Sequence, residues 1–436
     1  MPGMLRINVL DDMTKDALDA LYHRAESDIH ELAGVVRPVL EDVRTRGAAA
    51  VLKYAREFDG ADMKKSQLKV TRAEFDAAQR KVSKKVRAAI EKAVSNVRLY
   101  HERQMPDALV MTEVEPGVYA GEKITAIASC GLYVPRGKGS FPSVMVMLGV
   151  PAVVAGVEDL CVVSPPDKDG GADPATLVAA HTCGIERVYK VGGVQAVAAL
   201  AYGAAPVPRM DKIIGPGNPY VSAAKRLLFG TVDVGLPAGP SESIILADET
   251  TDPHIAALDL LIEAEHGPDS CALLVTDCEK LARDVARRAE GLVKKLPEPR
   301  RSFCKSGFGN YGGIVLTNNL EQSIAFTNRF APEHLEILVA EPFAALAKIK
   351  HAGEILVGPH TPITAGNFCL GIDAILPTGG FARTYSGVSV YDFLKRASVG
   401  YVTEQGLASL GPAAATLAEY EGFPAHARAV RNRNKK

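Results

Sequence analysis

Residues 159–190 read DLCVVSPPDKDGGADPATLVAAHTCGIERVYK, and their hydrophobic pattern changes twice within this stretch. The segment DLCVVSPP (159–166) predicts a buried strand, DPATLVAAHTCG (173–184) predicts a helix, and IERVYK (185–190) predicts a second strand. A strand, a helix and a strand in this order indicate two parallel strands joined by a right-handed crossover. The unit therefore predicts an α/β fold built on a parallel sheet.

The same alternation continues on both sides of this unit. Strand and helix patterns follow one another between residues 124 and 230, and a second series follows between 243 and 359. The strands of that second series are SIILADE (243–249), CALLVTD (271–277), GGIVLT (312–317), HLEILVA (334–340) and GEILVGP (353–359). Residues 26–104 instead repeat apolar positions at three- and four-residue spacing, which predicts helices. We expect an α/β protein with two Rossmann-like parallel-sheet domains, a helical N-terminal segment and a C-terminal tail.

These patterns also suggest boundaries within the 436 residues, a length that allows more than one domain. We expect a helical arm at 1–25 and a first α/β domain made of 26–123 and 240–380. A Rossmann-like cofactor domain is expected at 124–239, and a tail at 381–436.

The composition is that of an ordinary globular protein, and it excludes several classes of function. Hydrophobic residues make up 47% of the chain, and a formal net charge of -1 argues against a general binder of nucleic acids or anionic membranes. The most apolar run, FPSVMVMLGVPAVVAGV (141–157), contains two prolines and two glycines, so we expect a buried helix and turn rather than a membrane span. Seven cysteines without CxxC spacing, and a start without the features of a signal peptide, predict reduced thiols and a cytoplasmic protein.

Three strand-to-helix turns between residues 124 and 239 contain glycines, although the region has no GxGxxG motif. Beside these turns stand the side-chain donors Tyr133, Gln195 and Asn218. Each turn alone is explained more simply by the geometry of a strand-to-helix connection. Because the carboxyl ends of parallel strands are where such sheets bind ligands, three turns in succession favour a loosely bound nucleotide cofactor.

The segment LLIEAEHGPDS (260–270) places Glu263 and His266 three residues apart at the predicted end of a helix. Side chains at this spacing share one face of a helix, so both could bind one metal ion. Taken alone, such a pair is more often a solvated helix end. Other histidine or carboxamide groups would have to supply the remaining ligands.

In the segment FAPEHLEILV (330–339), Glu333 and His334 stand next to each other before a predicted strand. In a turn, both could address one substrate, one as the proton acceptor and the other activating water. A capped loop with a partly exposed histidine is the simpler interpretation of this segment alone. Histidines in helical, charged segments, such as His101, are expected at the surface, and His426 near the end of the chain has no evident role by itself.

Eight blocks spread over nearly the whole chain resemble the histidinol dehydrogenase family in their order and spacing. They are GLYVP (131–135), VGGVQAVAALAYG (191–203), IGPGN (214–218), LPAGPSE (236–242), AEHGPDS (264–270), APEHLEI (331–337), LPTGG (376–380) and SGVSVYDFLKR (386–396). The resemblance implies a zinc- and NAD-dependent dehydrogenase that oxidises a primary alcohol through an aldehyde to a carboxylate, using two NAD+. It also implies a domain-swapped homodimer, in which the C-terminal tail of one subunit completes the active site of the other.

The resemblance further implies roles for individual residues of this sequence. The implied zinc ligands are Glu263, His266, Asn367 and His426, and the implied acid/base pair is Glu333 and His334. The implied substrate contacts are Ser241, His334, Asn367, Glu421 and His426, and the implied NAD contacts are Tyr133, Gln195 and Asn218.

The sequence departs from the family's pattern around the expected pocket. Glu263 stands where histidinol-oxidising members typically have Gln, and Asn367 stands where they have Asp, so the charge of the ligand set is unchanged. Ile363 replaces the Glu of the usual TPE, and Asp373 and Ala374 replace the Asn-His of the usual NHVLPT. The first two changes compensate and indicate a working metal site, whereas the others indicate a pocket that no longer recognises an imidazole.

Two basic residues, Arg136 and Lys138, stand in the first glycine-rich loop, which usually carries no charge. Together with the pocket changes they favour a small anionic alcohol over cationic histidinol. The chain looks most like the branch that oxidises 2,3-dihydroxypropane-1-sulfonate (sulfopropanediol) to sulfolactate, and either basic residue is a candidate partner for the sulfonate. Glu421 instead matches the histidinol-binding pattern.

Three other interpretations remain open. A histidinol dehydrogenase with altered ligands would turn over L-histidinol. A catalytically inactive metal-binding paralogue would bind zinc without forming NADH. A cysteine-dependent aldehyde dehydrogenase would need a reactive thiol; no cysteine stands in a reactive setting, and Cys369, beside the expected ligand loop, is the one worth testing by alkylation.

Overall fold

The structure of the protein, a computed structural model, describes residues 4–24, 29–136 and 139–433. Contacts divide the chain into two compact units. Unit 1 consists of Met1–Arg103 and Ala128–Asp392, and unit 2 consists of Gln104–Ile127 and Phe393–Lys436. Lys138, one of the two basic residues of the glycine-rich loop, lies outside the described residues.

The strands lie in three sheets. In chain order they are β1 (Ile7–Val9), β2 (Leu109–Glu115), β3 (Val118–Ala126), β4 (Ser129–Tyr133), β5 (Asp159–Ser164), β6 (Val188–Lys190), β7 (Lys212–Ile214), β8 (Glu242–Ala247), β9 (Cys271–Thr276), β10 (Gly313–Leu316), β11 (His334–Leu338), β12 (Glu354–Val357) and β13 (Leu394–Val402).

Helices precede, connect and follow these strands. In chain order they are α1 (Lys15–Tyr22), α2 (Ile29–Arg46), α3 (Ala48–Phe58), α4 (Arg72–Lys81), α5 (Lys84–Gln104), α6 (Pro142–Val154), α7 (Pro174–Cys183), α8 (Gly193–Tyr202), α9 (Pro219–Leu228), α10 (Pro253–Ala264), α11 (Glu279–Val293), α12 (Arg300–Asn310), α13 (Leu320–Phe330), α14 (Pro342–Leu346), α15 (Ile363–Phe368), α16 (Glu404–Tyr420) and α17 (Pro424–Arg431).

The larger sheet of unit 1 has six parallel strands in the order β1-β10-β9-β8-β11-β12. Side chains of β8 alternate between its two faces: Ile245 packs into a core with residues of α10, α11 and α12, whereas Ile244 and Leu246 pack with residues of α1, α13 and α14. Helices therefore cover both faces, which explains why the strands read as continuous apolar runs.

The smaller sheet of unit 1 has four parallel strands in the order β6-β5-β4-β7. The chain builds outward from β4 to β5 and β6, and then crosses back to place β7 on the other side of β4. Such a reversal opens a crevice at the carboxyl ends of the strands, where open α/β sheets bind ligands. The two predicted parallel sheets are confirmed.

Helices α2 and α3 share a core with this smaller sheet. Val36 and Val43 of α2 and Val51 of α3 lie in one buried cluster with Val163 of β5 and Val197 of α8. The assignment of the segment 26–123 to the first α/β domain, and the other domain boundaries, stay predictions.

The most apolar run of the sequence forms α6, which contains Pro151 and is buried over most of its length. The predicted buried helix is confirmed. No helix within the described ranges is both long and apolar enough to cross a membrane.

Unit 2 contains an antiparallel sheet that the sequence did not predict. Strand β13 pairs along its whole length with β3, which in turn pairs with β2. The expected tail at 381–436 thus contains a long strand before α16 and α17, and its first residues, up to Asp392, belong to unit 1. Most residues of β2 and β13 are exposed, so neither strand shows the apolar periodicity that identifies a buried strand.

We expect Gly215→Ala to lower the free energy of unfolding by about 3 kcal/mol. Gly215 follows β7 with φ 136°, a backbone conformation that favours glycine, and an added Cβ would lie 2.1 Å from the carbonyl oxygen of Tyr133. Urea unfolding followed by circular dichroism measures the change. The matched control is Gly291→Ala in α11, where an added Cβ has no atom within 4 Å, and which should leave the stability unchanged or raise it by about 1 kcal/mol. Equal stabilities of the two variants would contradict the tight approach at Gly215.

Candidate active site

Helix α10 carries Glu263 to the centre of the candidate site. The helix begins after Asp252, whose side chain accepts a hydrogen bond from the backbone N–H of His254, and Pro253 occupies its first turn. Its inner face packs on the larger sheet, so that Glu263 in the last turn is fully buried. The predicted helix is confirmed, but its end is not solvated at Glu263.

Strand β11 brings Glu333 and His334 against Glu263. His334 is the first residue of β11 and only 2% exposed, and Glu333 immediately precedes it. His334 Nε2 lies 3.9 Å from Glu263 Oε1 and 3.8 Å from Glu333 Oε2. The alternative of a capped loop with a partly exposed histidine is therefore wrong.

His266 and Asn367 contact the same carboxylate of Glu263. Asn367, on the short helix α15, donates from Nδ2 to Glu263 Oε1 at 3.0 Å. His266 Nδ1 lies 2.8 Å from Glu263 Oε2, and it also lies 3.0 Å from the hydroxyl oxygen of Ser241. The structure thus brings together six of the residues that the sequence singled out, on four segments of unit 1.

Three further residues that the sequence analysis missed support this cluster. The backbone N–H of Glu242 donates to Glu333 Oε2 at 2.8 Å, and Arg24 forms a buried ion pair with the Glu242 side chain at 2.5 Å. His334 Nδ1 lies 2.5 Å from Glu354 Oε1. Two of them could have been found from the sequence, since Glu242 and Glu354 are acidic residues at the starts of the otherwise apolar strands β8 and β12. A carboxylate buried in such a strand normally has a specific partner.

A second buried carboxyl pair lies one turn along α10. Asp259, four residues before Glu263, is the neighbouring charge that most affects Glu336, two residues after His334 on β11. Burial, and then the neighbouring Asp259, raise the pKa of Glu336 to about 9. Glu336 therefore holds a proton at neutral pH.

The pKa values of the two central carboxyl groups, Glu263 and Glu333, are shifted in opposite directions. Burial opposes ionisation of Glu263, but the charges of His266 and His334 outweigh it and lower its pKa to about 2. Burial raises the pKa of Glu333 well above its ordinary value, against the opposing charge of His334. Glu263 is therefore a carboxylate at neutral pH, whereas Glu333 keeps its proton to a higher pH than an ordinary glutamate.

The donor atoms at the centre fit a metal ion. The ligand atoms of Glu263, Glu333 and His334 lie within 4.8 Å of one another, and all three residues are buried. Both oxygens of Glu263 face groups that can bind a metal or an anion: Oε1 lies 3.0 Å from Asn367 Nδ2, and Oε2 lies 2.8 Å from His266 Nδ1. Burial opposes a charge on His334, but the surrounding carboxylates, with Glu263 first, raise its pKa to about 10, so a cation at Glu263 would offset a real excess of negative charge.

Two candidate ligand sets share Glu263. One adds His266 and Asn367, and the other adds Glu333 and His334. We favour the first, because its two members lie within 3.0 Å of the Glu263 carboxylate, whereas His334 Nε2 is 3.9 Å away and its Nδ1 is occupied by Glu354.

The expected cofactor residues gather at the carboxyl end of the smaller sheet. Tyr133 ends β4, and its hydroxyl accepts a hydrogen bond from the backbone N–H of Gly193 at 3.1 Å. Gln195 is fully buried and donates to Asp59 at 3.3 Å, while its Oε1 has no hydrogen-bond partner. Asn218 caps α9, beyond β7. Tyr133 and Asn218 lie at the ends of β4 and β7, the strands that border the crevice, whereas Gln195 follows β6, and its free oxygen fits a ligand with a hydrogen-bond donor.

The remaining expected site residues have other surroundings. Arg136 donates to the carbonyl oxygen of Gly171 at 3.0 Å and lies 3.5 Å from Asp167. Glu421 and His426 belong to unit 2, at the end of α16 and within α17, and both are exposed. Their part in an active site stays a prediction.

The surroundings of His101 and Cys369 bear on two expectations from the sequence. His101 was expected at the surface, but it is completely buried because its face of α5 packs inward, and its Nδ1 lies 2.7 Å from the carbonyl oxygen of Val97. Cys369, just beyond α15, is partly exposed, and its backbone carbonyl accepts a hydrogen bond from Asn96 at 2.7 Å.

Comparisons with known proteins agree with this geometry. Residues 22–434 match the family described as Histidinol dehydrogenase. A Synechocystis sp. protein named Histidinol dehydrogenase is 53% identical over 99% of each chain, and a Cereibacter sphaeroides protein named Histidinol dehydrogenase homolog is 52% identical over 98% of each. The crystal structure of histidinol dehydrogenase from Elizabethkingia anophelis covers 99% of this chain and 98% of its own with a TM-score of 0.93 and 34% identity.

Proposed function

The chain belongs to the histidinol dehydrogenase family of NAD-dependent oxidoreductases, and from this premise we propose that it oxidises a small primary alcohol through the aldehyde to the carboxylate. Histidinol dehydrogenases use NAD+ and Zn2+. The observation that carries the proposal is the buried contact between Glu263, His334 and Glu333, because it joins a metal-binding carboxylate to an acid/base pair.

We assign the metal to Glu263, His266 and Asn367, with His426 of a second copy as the fourth ligand. This set supplies two imidazoles, one carboxylate and one carboxamide, donors that zinc accepts. We assign NAD+ to the crevice of the smaller sheet, in the segment 124–239.

The side chains of this site divide the work of the reaction. When bound, zinc polarises the substrate oxygen and NAD+ takes the hydride. A cation at Glu263 would offset the negative charge that raises the pKa of His334, and the neutral imidazole then accepts the hydroxyl proton through Nε2, the ring nitrogen that faces Glu263 and Glu333. Glu333 and His334 then assist the addition of water to the aldehyde, and Ser241 contacts the substrate beside His266.

For the substrate we propose (R)-2,3-dihydroxypropane-1-sulfonate, with sulfolactate as the product. The pair Glu263 and Asn367 supports this choice, since the two residues that reverse the family's usual Gln and Asp contact each other directly at 3.0 Å. Because the exchanged carboxylate and carboxamide contact each other, the set of metal ligands is kept while the pocket around it changes. Ile363 on α15 and the nearby Asp373 are both buried and mark the rest of that change.

L-Histidinol is the second candidate. The Synechocystis relative at 53% identity carries the histidinol dehydrogenase name, and Glu421 matches the histidinol-binding pattern. Buried acidic side chains around His334, including Glu263 and Glu354, would also favour a cationic substrate.

We further propose a homodimer whose active site is shared between subunits. Unit 2 exposes the large apolar side chains of Leu417, Tyr420 and Phe423 close to Glu421 and His426. An exposed apolar group beside two polar residues fits burial against a second copy. The free cysteines fit a cytoplasmic location, where thiols stay reduced.

The substrate proposal predicts NADH formation from sulfopropanediol with a kcat/KM at least about tenfold above that for L-histidinol, a difference of about 1.4 kcal/mol in transition-state binding. Both alcohols are assayed side by side by absorbance, with and without a chelator. The chelator should abolish turnover of either alcohol. A higher kcat/KM for histidinol would replace the proposed substrate with the second candidate, and turnover of neither would contradict the proposed oxidation.

The metal assignment predicts that Glu263→Gln alone lowers zinc affinity at least about tenfold, because the site then lacks its carboxylate. The double variant Glu263→Gln, Asn367→Asp restores one carboxylate and one carboxamide, and it should recover zinc binding. Zinc content after dialysis is measured by mass spectrometry. Full zinc content in the single variant would contradict the role of Glu263.

Substitution of both Arg136 and Lys138 by Ala should raise KM for sulfopropanediol about tenfold or more, since a charge-assisted contact to the sulfonate would be lost. KM for NAD+ serves as the internal reference. The matched control is Asp167→Asn, which changes the partner of Arg136 and leaves the basic charges in place. An unchanged KM for the sulfonate in the double Ala variant would rule out both residues as its partners.

A further inference from the structure

The imidazole of His334 has a close partner on one side. Strands β11 and β12 are paired in parallel with His334 opposite Glu354, so the two side chains leave the sheet on the same face. His334 Nδ1 and Glu354 Oε1 lie 2.5 Å apart, and both residues are buried. Because both groups are shielded from water, the Nδ1–H donates a charge-assisted hydrogen bond to the carboxylate.

The other ring nitrogen of His334 has no neighbour at hydrogen-bonding distance among these acids. Nε2 is 3.8 Å from Glu333 and 3.9 Å from Glu263, which is beyond a normal hydrogen bond. Glu333 Oε2 is already bound to the backbone N–H of Glu242. The orientation of the ring is therefore set from the Nδ1 side.

The fold holds Glu354 in place from two directions. Its backbone N–H donates to the carbonyl oxygen of Glu333 at 2.9 Å, so the two strands cannot slide without breaking this link. Helix α15 crosses the carboxylate at Gly366, where an added Cβ would come within 2.9 Å of Glu354 Oε2. The residue after Gly366 is Asn367, so the same helix makes room for Glu354 and presents a group to Glu263.

We propose that Glu354 is a positioning residue for His334: its carboxylate binds the Nδ1–H, fixes the tautomer, and so directs the lone pair of Nε2 to the reacting hydroxyl. This inference rests on the proposed function, because it takes His334 as the proton acceptor. Glu354 touches neither substrate nor cofactor and acts only through the imidazole.

The test compares Glu354→Gln and Glu354→Leu with the matched control Glu336→Gln. Glu336 is a buried acid two residues from His334 on the same strand, and its nearest charged neighbour is Asp259 rather than His334. In the zinc-loaded enzyme, kcat and KM are measured for the alcohol that the wild type oxidises, together with NADH affinity by fluorescence and zinc content. Proton NMR records the far-downfield resonance expected of a short hydrogen bond between a buried histidine and a carboxylate.

We expect kcat to fall about tenfold in Glu354→Gln, which keeps an acceptor oxygen, and about 100-fold in Glu354→Leu, which has none. KM for NAD+, NADH affinity and zinc content should stay within about twofold of the wild type, as for a partner that acts on the ring alone. The downfield resonance should disappear in both variants and persist in Glu336→Gln, whose kcat should match the wild type.

Wild-type kcat in Glu354→Leu, or a resonance that survives both substitutions, would overturn the inference. An equal loss of kcat in Glu336→Gln would also overturn it, because any buried acid on β11 or β12 would then matter. If the wild type oxidises neither alcohol, the proposed function fails, while the resonance still decides whether Glu354 holds His334.

Discussion

Glu263 is fully buried at the end of α10, and a carboxylate in such a place costs several kcal/mol unless cations or hydrogen-bond donors surround it. Here the compensation comes from His334, His266 and Asn367, which approach the same two oxygens. Each partner is carried by a different segment of unit 1. Much of the local architecture can be understood as the means of bringing these segments to one carboxylate.

The parallel pairing of β8, β11 and β12 brings most of these side chains together. Strands β8, β11 and β12 lie side by side, and Ser243, His334 and Glu354 are in register across them, one residue after Glu242 of β8. Glu242 holds Glu333 through its backbone and Glu354 holds the ring of His334. Strand β12 is paired with β11, and α15 approaches Glu354 at Gly366 and presents Asn367 to Glu263, so these neighbouring elements carry the partners of both His334 and Glu263.

The sequence predicted the two parallel sheets well, because buried strands and their connecting helices leave clear apolar patterns. It also identified Glu263, His266 and Asn367, which the fold then places in contact. It missed Glu354, because the partner of a single acid at the start of an apolar strand can be identified only when the register of that strand with its neighbour, here β11, is known. It also missed the sheet of unit 2, where β13 and β2 are largely exposed and lack a hydrophobic period.

The central claim is that Glu263, rather than the acid/base pair alone, anchors the metal. Anomalous diffraction at the zinc edge from crystals of the zinc-loaded protein tests it most directly. We expect one zinc peak bonded to Glu263, His266 and Asn367, with a fourth ligand from His426 of a second copy, and with Glu333 and His334 outside the coordination sphere. A peak bonded to Glu333 and His334, or one that leaves Glu263 unbound, would contradict it.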